Sequence, residues 1–225
     1  MQADTRIHDW RIEPREYARQ EERRGRRHAY QSLDPARTAL IVVDMVPFFV
    51  EANPYARGIV PNIDRLATAL RTTGGLVAWV VPGHRTPLLD ITEEFYGPAV
   101  SKLYATAGGD GPLRSRPWHG FDVRPEDLVV EKDAYSAFFP GRSTLPQALT
   151  ARNIDTVLIT GTLTNVCCES SARDAATSGL RVLMVADANA ARRDQDHNAT
   201  LHTVYRSFGD VRPTAEVLEL ITRPA

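Results

Sequence analysis

The sequence predicts an α/β protein built on a parallel β-sheet with helices on both faces. Three observations carry that expectation. Continuous apolar runs recur along the chain, such as Ala39-Leu-Ile-Val-Val43 and Leu76-Val-Ala-Trp-Val-Val81, and runs of this kind suit strands buried on both faces. Segments with apolar residues at helical spacing alternate with them. Gly and Pro punctuate the junctions, at Gly74-Gly75, Pro82-Gly83 and Gly179.

Taken in order, residues 1–36 read as an arm ahead of a body spanning 37–225. Pro14 opens a helix there and Gly25 closes it. Trp10, Tyr17 and Tyr30 are expected to dock this arm on the body or on a second subunit. Arg23 to Arg27 is basic, but acids lie beside it and the chain carries a net charge of −1, which argues against nucleic acid.

The body opens with the strand at Ala39–Val43. A helix follows over Ile59–Thr73, with Ile63, Leu66, Ala67 and Leu70 on one side. Leu76–Val81 is the second strand. The long stretch from His84 to Pro125 is rich in Gly, Pro and aromatics, with a short helical piece near Ile91 to Ala107, and reads as a lid or binding loop. Leu128-Val-Val130 is a third strand, Ser143–Ala151 a helix and Thr156–Thr160 a fourth strand. A helix over Cys167–Ser178 leads to a fifth strand, Leu180–Val185. His197–Ser207 is a helix, Val211 starts a short last strand, and Ala215–Thr222 closes the pattern.

At 225 residues and 43% apolar composition the chain supports a sizeable core. No apolar run is long enough to span a bilayer and no signal peptide is evident, so a cytoplasmic protein is expected. The two cysteines, Cys167 and Cys168, are adjacent and cannot readily bridge, which suits a reducing compartment.

In open α/β sheets the site lies beyond the carboxyl ends of the strands. The first strand ends at Asp44, the third in Glu131-Lys132-Asp133, and the fourth runs into the turn before Cys167. An acid, a lysine and a cysteine therefore converge on one rim. Taken singly, Asp44 also suits a helix cap, and Lys132 a surface lysine. Yet the chain has only two lysines, Lys102 and Lys132, and otherwise uses arginine.

The cysteine sits where a strand and a Gly/Thr turn lead into a helix. A helix start carries free N–H groups and a positive dipole end, which favours a thiolate. Cys167 shares a helix face with Ser170, Ser171 and Asp174. Cys168 lies about 100° round, with Ala172, Ala175 and Ala176. Cys168 thus reads as packing and Cys167 as open, although burial of both as small apolar groups is the commoner fate of free cysteines.

Leu40-Ile-Val-Val-Asp44-Met45, Glu131-Lys132 with Tyr135-Ser136-Ala137-Phe138, and Gly161-Thr162-Leu163-Thr164-Asn165-Val166-Cys167 with Ala172-Arg173-Asp174-Ala175 resemble the isochorismatase-like cysteine hydrolases. That family includes nicotinamidases, N-carbamoylsarcosine amidases and ureidoacrylate hydrolases. The resemblance implies a three-layer α/β/α fold whose six-stranded parallel sheet has the order 3-2-1-4-5-6. It implies a Cys167/Asp44/Lys132 triad, a cis peptide between Thr162 and Leu163, and an oxyanion hole from the backbone N–H groups of Leu163 and Cys167. It also implies a homodimer or homotetramer.

The chemistry implied is hydrolysis of an amide, carbamoyl or lactam bond through a thioester, with no cofactor. The metal site of nicotinamidases uses an Asp-x-His pair and a further His. Here Val46-Pro47-Phe48-Phe49-Val50-Glu51 and Gly83-His84-Arg85 stand in the corresponding loops, so no catalytic metal is expected. Phe48, His84, Tyr135 and Phe138 are candidate pocket walls. Asp90, Glu93 and Glu94 suggest a cationic substrate such as a streptothricin-like lactam antibiotic, or merely a capped, solvent-facing helix. A non-catalytic binding module or a thiol redox sensor on the same fold are the other functional classes.

Overall fold

A computed structural model describes residues 4–83 and 90–222. Six strands make one sheet: β1 (Thr38–Val43), β2 (Leu76–Pro82), β3 (Leu128–Lys132), β4 (Thr156–Thr162), β5 (Arg181–Ala190) and β6 (Asp210–Arg212). Their order is β3-β2-β1-β4-β5-β6, and every pairing is parallel. The chain steps outward from β1 to β3 and then returns past β1 to β4. Ligand crevices form at such a reversal, outside the carboxyl ends of the central strands.

The apolar runs do what a doubly covered sheet requires. Ala39, Ile41 and Val43 of β1 enter one core, while Leu40 and Val42 enter the other. The first core is roofed by helices α7 (Leu145–Thr150), α8 (Glu169–Thr177) and α9 (Asp194–Ser207), through Leu149, Ala172 and Leu201. The second lies under α4 (Val60–Thr72) and α10 (Thr214–Thr222), through Leu66, Leu70 and Leu220. Each of these leucines, once buried, contributes about 1.5–3 kcal/mol.

Two short helices, α2 (Pro47–Ala52) and α3 (Pro54–Gly58), follow β1. Neither is expected from periodicity, because five or six residues are too few to show it. The long excursion carries α5 (Asp90–Tyr96) and α6 (Pro98–Ala105) in place of one helical piece, split at Gly97 with φ 79°. Strand β5 runs on to Ala190, past the expected Val185, because a register shift opposite Ile159 and Gly161 lets it continue. Asn189 fills that irregularity, donating from Nδ2 to the carbonyls of Ile159 (2.8 Å) and Val185 (2.7 Å).

The arm lies along its own chain's body. Its helix α1 (Pro14–Arg24) stops at Gly25, whose left-handed φ of 71° lets its N–H reach the Glu21 carbonyl. Tyr17 packs edge-on against Tyr205 of α9 at 5.3 Å, and His28 Nδ1 lies 2.9 Å from Asp210 of β6.

Candidate active site

Three strand ends deliver the polar rim. Asp44 follows β1, Lys132 is the last residue of β3, and Cys167 lies in a single π-helical turn, Thr164–Cys168, between β4 and α8. Lys132 Nζ is 2.9 Å from Asp44 Oδ2 and 3.5 Å from Cys167 Sγ, and it also donates to the Ala134 carbonyl at 3.1 Å. The Lys132 and Asp44 side chains are 4% and 2% exposed. Among the described residues Asp44 Oδ1 is buried with no hydrogen-bond partner.

Local backbone features set this meeting. Asp44 adopts φ 54°, a left-handed conformation that short Asp side chains tolerate, and its N–H donates to the Val80 carbonyl of β2. The carboxylate is thereby turned out of the strand line. Gly161 lets β4 close against the end of β1: a Cβ there would stand 2.1 Å from the Val43 carbonyl oxygen. The peptide bond between Thr162 and Leu163 is cis. In the π turn the N–H groups of Val166 and Cys168 both donate to the Leu163 carbonyl, at 3.1 and 3.2 Å, with the Cys167 N–H between them. Turns of this kind recur at functional sites.

The two cysteines part company. Cys168 is fully buried among Ala172 and Ala175, its sulfur 3.9 Å from the Thr160 carbonyl. Cys167 is half-buried and faces a cavity of about 130 Å³, together with Asp44, Lys132, Leu163 and Val166. The polar face expected beside Cys167 is only partly open. Ser171 is buried, and its hydroxyl accepts the Ala137 N–H at 2.9 Å, tying the β3–α7 loop to α8. Ser170 and Asp174 face a larger outer cavity of about 580 Å³.

The electrostatics differ from what a helix start alone implies. Burial raises the Cys167 thiol to about 12, the Asp44 charge pushes in the same direction, and Lys132 only partly offsets them. Burial works against the Lys132 charge too, but Asp44 and Cys167 outweigh it and raise the ammonium's pKa. The rim thus holds the Lys132 ammonium against Asp44, with the Cys167 sulfur beside them.

The walls depart most from expectation. Tyr135 lines the cavity, and its hydroxyl is 2.9 Å from that of Tyr96. Phe48 does not line it; Phe49 does. One residue on a helix is about 100° of rotation, so the Phe48 ring lies behind, edge-on to Phe49 at 4.9 Å and to Tyr104 at 6.2 Å. Phe138 is a core residue, 2% exposed, because the Ser136 hydroxyl caps its N–H and turns it under the loop. His84 and the side chain of Asp90 lie outside the described residues. Glu93 and Glu94 are exposed on α5 and line neither the inner nor the outer cavity. Tyr96, Tyr104, Thr92 and Ala107, from the excursion between β2 and β3, complete the inner wall. Among the described residues no three His, Cys, Asp or Glu side chains converge as a metal-binding set.

Residues 38–216 match the family model of the isochorismatase domain. The chain belongs to the isochorismatase family. It is similar to a ureidoacrylate amidohydrolase of Variovorax paradoxus, with 32% identity over 183 residues, 70% of each chain. It is also similar to the crystal structure of a cysteine hydrolase from Pseudomonas syringae pv. phaseolicola, with 29% identity and a TM-score of 0.76 over 86% of this chain and 96% of that one. An N-carbamoylsarcosine amidase from Thermoplasma acidophilum aligns at 27% identity and a TM-score of 0.65, over 79% of this chain and 96% of that one. In this isochorismatase-family chain the matched span takes in all three rim residues and excludes the arm.

Proposed function

We propose that the chain hydrolyses a small-molecule amide, carbamoyl or lactam bond through a thioester on Cys167, with Asp44 as the proton carrier and Lys132 as the charge that holds both in place. The coarser statement is that it is an isochorismatase-like amidohydrolase acting on carbon–nitrogen bonds other than peptide bonds. The observation that carries the finer one is the position of Lys132 Nζ, within 2.9 Å of Asp44 and 3.5 Å of Cys167 at the floor of a cavity.

The geometry suggests the order of events. A thiol of raised pKa needs a base, and among the described residues the buried Asp44 Oδ1 has no hydrogen-bond partner. Asp44 takes the thiol proton as sulfur attacks the carbonyl carbon. Lys132 stabilises the sulfur while it is anionic. The carbonyl oxygen becomes an oxyanion, held by the N–H groups of Leu163 and Cys167. When the C–N bond breaks, Asp44 passes its proton to the departing nitrogen, leaving a thioester. Water then attacks the thioester, giving its proton to Asp44. The acid leaves, and the proton returns to sulfur.

The inner cavity favours a compact substrate whose non-reacting part is apolar or aromatic, since Phe49, Tyr96, Tyr104, Tyr135 and Pro82 line it. Ammonia or amine release across a panel of primary amides, ureido acids and lactams tests the reading. Turnover of at least one member by the wild type and by Cys168→Ala, and none by Cys167→Ala, is expected. Equal turnover by both variants would refute it.

A homodimer or homotetramer is part of the same reading. Ile91, Phe95 and Phe139 are 68%, 77% and 50% exposed around the outer cavity, an apolar cluster that a second copy of the chain would cover. Light scattering after size exclusion tests it, and a monomer throughout would contradict it. The two free cysteines suit a reducing cytoplasm, the location proposed.

A further inference from the structure

The arm carries two histidines fastened to acids of the body, and they sit in very different places. His28 reaches Asp210 at the far edge of the sheet. His8 reaches the back of the nucleophile turn. Its ring is 4% exposed and lies between Tyr55 of α3 (3.9 Å, 4° between planes) and His197 of α9 (4.2 Å, 13°). His8 Nε2 accepts the Ala191 N–H at 3.0 Å, which assigns the proton to Nδ1, 2.6 Å from Asp194. His197, fully buried, pairs through Nδ1 with the Thr164 hydroxyl at 2.9 Å. Thr164 is itself fully buried and opens the π turn that holds Cys167.

A continuous path therefore runs from the arm to the nucleophile: His8 ring, His197 ring, Thr164 hydroxyl, π turn, Cys167 sulfur. We propose that His8 is a positioning residue, through which the N-terminal arm holds the nucleophile turn in register with Asp44 and Lys132. The proposal rests on reading Cys167 as the nucleophile. The neutral state that the hydrogen bonding demands agrees with the burial of both rings, which lowers the pKa of each; Asp194 opposes this at His8. Two neutral rings stack without mutual repulsion, and the acceptor nitrogen stays available to Ala191. The neighbouring contacts back up the placement. Arg11 N–H donates to Asn198 Oδ1 at 2.7 Å, and Asn198 Nδ2 donates to the Asp9 carbonyl at 2.9 Å.

The consequence is that slack at His8 should appear at a sulfur it does not touch. The full-length variant His8→Phe keeps the ring stack and removes both hydrogen bonds. His8→Gln can still accept the Ala191 N–H. His28→Phe loosens the other end of the arm and serves as the control. Three readouts are taken together: melting temperature, kcat and KM on the best amide of the panel, and the rate of Cys167 alkylation by iodoacetamide, mapped by tandem mass spectrometry. His8→Phe is expected to lower kcat about tenfold with KM little changed, the size of effect a small misplacement of a reacting group produces. It should also change the rate of alkylation, because the distances of the sulfur from Lys132 and Asp44, which set its reactivity, change when the turn shifts. His8→Gln should lie between it and the wild type, and His28→Phe should move neither quantity even where it costs as much melting temperature. If His8→Phe leaves alkylation unchanged, or if all three variants simply follow their melting temperatures, the arm is structural only and the proposal fails. Should no amide be cleaved by the wild type, the alkylation rates still decide this point independently.

Discussion

The rim and the wall of the cavity are made differently. Asp44, Lys132 and Cys167 hang from the ends of paired strands, so their spacing is fixed by sheet register, by the left-handed turn at Asp44 and by the close approach at Gly161. Phe49, Tyr96 and Tyr104 come from short helices on connections that the sheet does not constrain. Strand ends hold positions to the tolerance that bond-making needs, and loops are where a pocket changes shape without disturbing the core. The chemistry should thus reside in the rim and substrate choice in the wall, and mutations should separate them.

The largest separation is expected within the cysteine pair. Cys167→Ala should lower kcat at least about a thousandfold, whereas Cys168→Ala should retain most activity, read as steady-state rates on the same amide. Rim charges come next. Asp44→Asn should cost roughly 10²- to 10⁴-fold in kcat, the usual range for a lost general acid–base. Lys132→Met should abolish turnover and also destabilise by about 3–5 kcal/mol, since it leaves the Asp44 carboxylate buried without its partner. The double variant Asp44→Asn with Lys132→Met should then be more stable than Lys132→Met alone in urea unfolding. The opposite order would mean that the pair is not electrostatically coupled.

Wall variants should behave otherwise. Phe49→Ala and Tyr96→Ala should shift KM and the ranking of substrates by about tenfold, while kcat on the smallest amide changes less. If kcat fell as far as in Asp44→Asn, the division between rim and wall would be wrong.

A weaker effect concerns acid stability. Folded His197 has its pKa lowered by burial from 6.5 to about 3. Unfolding restores the ordinary value, so between these two pH values the unfolded chain binds the extra proton. Stability should therefore fall as pH drops from about 6.5 toward 3. His197→Asn, which keeps a hydrogen-bonding group for Thr164 and cannot titrate, should flatten the fall in melting temperature over that window. The smallest expected effect is that of a chelator: incubation with EDTA should leave the rate unchanged.

The same division explains what could be read from the chain. β1 and β2 are unbroken apolar runs, and β4 begins as one, because both their faces are covered; the polar residues that follow the apolar runs of β1 and β3, Asp44 and Lys132, mark the rim. The rarity of lysine singled out Lys132 for a physical reason, since a compact ammonium fits between a carboxylate and a sulfur where a forked guanidinium does not. The wall left weaker marks. Phe48 and Phe49 are adjacent and chemically alike, and only the start of α2 at Pro47 decides which one faces inward. Tyr96 and Tyr104 flank the Gly97-Pro98 break, a signal for two helices in place of one that the spacing of apolar residues obscured. The π turn has no sequence mark at all. The raised Cys167 pKa depends on burial and on Asp44, neither of which a local helix-start argument contains.

The most direct measurement is a rapid acid quench during turnover of the best amide, with tandem mass spectrometry of the peptide that carries both cysteines. An acyl adduct on Cys167, absent from Cys167→Ala and present in Cys168→Ala, is the predicted result. An adduct on Cys168, or steady turnover by Cys167→Ala with no covalent species, would contradict the account.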